Sequence, residues 1–112
     1  MQTLYSVTEK VGASLGEIVA VFANKEEAEK AVTARRETMQ EQEVLATKLE
    51  IVPIVLVDKP AEVGDHIIVV GKIEDNLDVV PQVAYVEPES LEEYLKTMEE
   101  LFRLNVTTLT VS

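Results

Sequence analysis

The placing of the β-branched runs constrains this chain most: short apolar stretches of strand character recur along its whole length, and only two segments carry helical periodicity. Leu4–Thr8 alternates, and Glu17–Phe22 (Glu-Ile-Val-Ala-Val-Phe) is β-branched and aromatic, so both read as strands. Asn24 stands three residues ahead of Glu27, the spacing of a capping box. A helix is therefore predicted from Lys25 to about Gln42, with a thin apolar stripe of Ala28, Ala31, Val32 and Met39. Thr47–Ile51 alternates again and runs into Ile54–Val57, which predicts a strand half-exposed at its start and buried at its end. Pro53 has no N–H to donate and marks an edge or a bulge.

Beyond the polar linker Asp58–Asp65, His66–Gly71 and Val79–Val86 read as strands joined by the turn Glu74–Asp78, with Pro81 near a strand start or an edge. Pro88 opens a second helix, with Ser90 and Glu93 as an alternative cap. Leu91, Tyr94, Leu95, Met98, Leu101 and Phe102 give this helix the cleanest stripe in the sequence. Asn105–Val111 closes the chain as a strand. Strand, strand, helix, strand is thus spelled twice, in halves 1–57 and 65–112 of one domain, 1–112. The fold class expected is α+β: a tandem ββαβ repeat, with an antiparallel-rich sheet and two helices on one face, a ferredoxin-like variant among its forms. Such a sheet leaves Ile54, Ile67 and Val69 on a bare face, and a second copy of the chain in a homodimer is the expected cover.

Tyr5-Ser6-Val7-Thr8 and the stretch from Ile18 to Ala31 carry a resemblance over residues 3–34. This opening is similar to that of small uncharacterised bacteriophage and bacterial proteins with a strand-strand-helix start. The resemblance implies a ββα unit and a phage-like origin, and brings no functional residue with it.

Composition removes several function classes. The 112 residues include no cysteine, which rules out disulfides, thiolate metal sites and thiol nucleophiles. One histidine and no tryptophan leave few residues for acid–base chemistry or base stacking. The longest apolar run, Ile51–Val57, falls far short of the ~20 residues of a membrane helix. Met1–Ser6 lacks the basic and apolar regions of a signal peptide, so the mature chain is expected to start there and to be soluble and cytoplasmic. A net charge of −11 repels phosphate backbones and anionic lipid, which argues against direct nucleic-acid or membrane partners.

His66, the only histidine, has no catalytic companion at a recognised spacing. Glu74, Asp75 and Asp78 share a turn, yet lack the pattern of a calcium loop, and Gly12–Gly16 lacks the ending of a phosphate loop. Arg35-Arg36 suits pairing with neighbouring glutamates on a helix surface. No enzyme, cofactor or metal is expected. The charge is uneven, however: residues 58–100 hold 12 acids against 3 bases. Burying the second helix's stripe turns Glu89, Glu92, Glu93, Glu99 and Glu100 outward. These five form the candidate interaction face of a small acidic protein-interaction module whose partner is a protein. An acidic mimic that occupies a nucleic-acid-binding protein, and a small-ligand sensor with its site between the halves, are the alternatives.

Overall fold

Alternating side chains from Gln2 to Val11 let one long strand, β1 (Gln2–Val11), pair antiparallel with two neighbours. These are β2 (Glu17–Phe22) and β3 (Thr47–Leu56). The structure, a computed structural model, describes residues 2–112; Met1, where the mature chain is expected to start, lies outside them. A second antiparallel set forms around β4 (His66–Ile73), flanked by β5 (Val79–Tyr85) and β6 (Leu104–Thr110). Helices α1 (Lys25–Glu37), α2 (Glu41–Ala46) and α3 (Pro88–Met98) complete the order β1-β2-α1-α2-β3-β4-β5-α3-β6.

Parallel contacts join the two sets. β3 meets β5 at Val55↔Val83 and Leu56↔Ala84, giving one six-stranded sheet in the order β2-β1-β3-β5-β4-β6. Its two edges then meet: Val21 bridges Val111 in parallel, Ser112 N–H donates to the Val21 carbonyl at 2.9 Å, and Ala23 N–H donates to the Ser112 carbonyl at 3.0 Å. The sheet is thereby curled into a nearly closed, barrel-like body.

This corrects the expected fold class. The chain is not a two-helix, ferredoxin-like ββαβ repeat; it is 44% strand and 27% helix, with three helices around a mixed, curled sheet. Two physical causes account for the difference. Curling gives the sheet an inside, so Ile54, Ile67 and Val69 are core residues at 2%, 0% and 0% exposure instead of a bare face awaiting a second copy. The helices also pack on different outer flanks: α1 sets Ala28 and Val32 on Val7 and Leu49, whereas α3 sets Leu91 on Val70, Val83 and Tyr85. The first helix stops at Glu37, short of Gln42, because the Thr38 and Met39 N–H groups turn back to the Arg35 and Arg36 carbonyls. A separate short helix, α2, follows.

Pro53 and Pro81 explain why the β3–β5 joint is so short. Extending its register by two residues sets them opposite each other, and neither has an N–H for the ladder. Beyond that point the strands are held by side chains at one mouth of the barrel, described below. At the other joint the closure rests on Val111, 1% exposed and packed with Val21, Leu4 and Ile67. Val111→Ala is expected to cost about 2 kcal/mol on chemical denaturation. Amide exchange should quicken at Ala23 and Ser112, the N–H donors of the seam, in that variant before it quickens in β1.

Candidate functional site

One carboxylate on the barrel fixes the chain just ahead of α3. The helix starts after Glu87, whose own side chain makes no cap, and Ser90 lies inside the helix instead of capping it. Asp58, just past β3, holds the approach to the helix instead of capping its first turn. It accepts from the N–H groups of Val86 at 2.8 Å and Glu87 at 2.7 Å, and from Lys59 N–H at 2.9 Å. Burial works to raise the Asp58 pKa, but these backbone donors outweigh it and hold the carboxyl below its ordinary value. An ion pair between Lys59 and Glu87 lies alongside.

From this anchor the helix lays only part of its stripe on the sheet. Leu91 is buried and Tyr94, Leu95 and Met98 are half-buried; the helix ends at Met98, short of the expected stripe, so Leu101, 67% exposed, and half-buried Phe102 lie in the turn after it. Tyr94 tilts on Tyr85 with ring centroids 5.9 Å apart, and Lys72 Nζ sits 4.3 Å above the Phe102 ring. Glu89, Glu92 and Glu93 on the helix, and Glu99 and Glu100 in the turn after it, are all exposed. None of the five lies in an ion pair among the described residues. Lys96 shares this surface and interrupts the acidic row.

The remaining candidates have structural partners. His66, exposed at the start of β4, is hydrogen-bonded through Nδ1 to Thr110 Oγ1 at 3.0 Å. Arg35 donates to Glu9 at 3.1 Å, and Arg36 reaches the Leu49 carbonyl. Gly12–Gly16 forms the tip of the β1–β2 hairpin, where Gly16 N–H donates to the Leu77 carbonyl at 2.9 Å. Among the described residues, those of the Glu74–Asp78 turn included, no group of three or more His, Asp or Glu side chains is placed to hold a metal ion.

Asp78 instead turns into the barrel mouth below Pro53 and Pro81, a convergence with no local signature in the sequence. Lys48 Nζ, from β3, donates to Oδ2 at 2.9 Å, and Lys10 Nζ, from β1, lies 2.9 Å from Oδ1. The buried Oδ1 thus faces the Lys10 ammonium as its charge partner. Lys48 above all, then Lys10, pulls the Asp78 pKa down to about 2, and the same Asp78 bond raises that of Lys48. The cavity here measures ≈ 40 Å³, enough for water and too small for a metabolite.

No family profile, curated protein or solved structure matches the chain. No helix among the described residues is long and apolar enough to cross a membrane.

Substitution separates the roles of the two carboxylates. Because the folded-state pKa of Asp78 lies below the unfolded value of about 3.9, its contribution is complete above that value and is lost as the pH falls toward about 2. Asp78→Asn should flatten the pH dependence of the unfolding free energy across that window, measured by denaturant titration. Asp58→Ala should cost about 1–3 kcal/mol by leaving backbone N–H groups unpaired. Its effect should concentrate on α3, read as faster amide exchange there than in α1.

Proposed function

We propose that the protein is a non-enzymatic protein-interaction module that docks through α3 and the turn after it. One observation carries this reading: an amphipathic helix that buries Leu91 leaves Leu101 67% exposed, with Glu99 and Glu100 beside it and unpaired among the described residues. A surface of this kind fits a partner with an apolar seat and a basic rim, since the apolar contact supplies affinity while opposite charges steer the encounter. The chain's net charge of −11 adds to that steering and disfavours acidic partners.

Mimicry of nucleic acid has less support, because Lys96 breaks the acidic row and apolar side chains share the surface. A sensor site inside the β3–β5 joint has less support, because Ile54, Leu56, Ala84 and their neighbours fill it.

The test places a photo-crosslinking residue at position 101 and, as a control, at Leu45, which is 85% exposed on α2. Adducts with a lysine- and arginine-rich protein are expected at position 101 alone. Neutralising Glu92, Glu93, Glu99 and Glu100 to glutamine should weaken binding of the purified partner about tenfold or more, equivalent to about 1.4 kcal/mol or more. Equal adducts at both positions, or affinity unchanged by the neutralisation, would overturn the reading.

A further inference from the structure

A second concavity, on the opposite flank from α3, is apolar where the barrel mouth is charged. It lies between α1 and the outer face of β1, β2 and β3, and measures ≈ 230 Å³. Its floor is Val7, Val32 and Leu49, all buried. Its walls are Ala20, Ala31 and Phe22, only half-buried although they sit between a helix and a sheet. The local chain path explains the space. The β1–β2 register passes from Val7↔Ala20 to Thr8↔Ile18, which leaves Val19 as a bulge without a β1 partner. Its side chain borders the cavity and stays 39% exposed. Bulges re-aim side chains in this way next to binding sites.

The rim decides what the cavity takes. Arg35 Nε donates to Glu9 Oε1 at 3.1 Å, and these two are the charged residues lining the cavity. Together they present unused guanidinium N–H donors and a second carboxylate oxygen, with no net charge. A carboxylate ligand meets Glu9 and the field of a chain at −11, and an ammonium ligand meets Arg35. An uncharged head that both accepts and donates, such as a primary amide, satisfies both sides of the pair. The volume is below the roughly 300–1,000 Å³ of sites for drug-sized ligands, so the body must be a short aliphatic chain or a single ring.

We propose that this cavity binds a small uncharged amphiphile, with its apolar body between α1 and the sheet and its amide- or hydroxyl-type head on the Arg35–Glu9 pair. The site is separate from the α3 surface and does not depend on the function proposed for it.

The experiment titrates the full-length chain, methyl-labelled at valine and leucine, with hexanamide and, in parallel, with hexanoate. Hexanamide is expected to give saturable shifts at Val7, Val19, Val32 and Leu49 and none at the exposed Leu45 and Leu101, with hexanoate at least about tenfold weaker. Val19→Phe fills the cavity from a part-exposed position and should abolish the shifts while the remaining spectrum is kept; Ala31→Leu provides a second filling variant. The proposal is overturned by unsaturable or scattered shifts, by hexanoate binding as well as hexanamide, or by binding that survives in a folded filling variant.

Discussion

The structure depends on joining two antiparallel three-stranded sets through parallel seams that are each only a few residues long. One seam has Val55, Leu56, Val83 and Ala84; the other has Val21 against Val111, with Ser112 and Ala23 supplying the hydrogen bonds. Because Pro53 and Pro81 end the first ladder, the wall below them is closed by ions: Lys48 from one set holds Asp78 from the other. Without these joints Leu4, Ile54, Ile67 and Val69 would line two wet half-sheets instead of a shared interior.

What is legible in the sequence follows from local chemistry. Asn24 does accept from Glu27 N–H, at 2.9 Å, and the strand-like runs at Glu17–Phe22 and Thr47–Ile51 lie in strands, as does Asn105–Thr110 of the last run, Val111 following as an isolated bridge. The periodic stripe from Leu91 onward also indicates which way the α3 glutamates face. The curvature of the sheet is not legible, because alternation says which residues share a face and not whether that face closes on itself. A flat sheet would therefore put Ile67 and Val69 on a bare surface. Asp58 and Asp78 look like ordinary turn acids, since the partners by which they join the two halves lie 28 to 68 positions away in the chain. Gly71 is hidden too: a Cβ there would stand 2.7 Å from Val79 Cγ1 on the paired strand β5 and 3.1 Å from Ile18 Cδ1 on β2, which only the curling of the sheet brings near.

A closed interior leaves function to the outside. Its two flanks differ in chemistry because the helices differ in what they bury. α1 keeps Ala28 and Val32 inward and leaves a hollow near Ala31, while α3 places larger side chains against Tyr85 and is followed by a turn that exposes Leu101. The barrel thus acts as a rigid mount for two unlike surfaces, and substitutions on one are expected to leave the other undisturbed.

Closure by Val21 and Val111 also has a kinetic consequence. The bridge unites positions 90 residues apart, so the loop-closing entropy falls due late, after the antiparallel sets have formed around β1 and β4. Until β6 is added the barrel stays unsealed, with the free edges on β2 and β4. During that interval the uncharged stretch Leu104–Ser112 lacks the charged gatekeepers that usually discourage edge-to-edge aggregation.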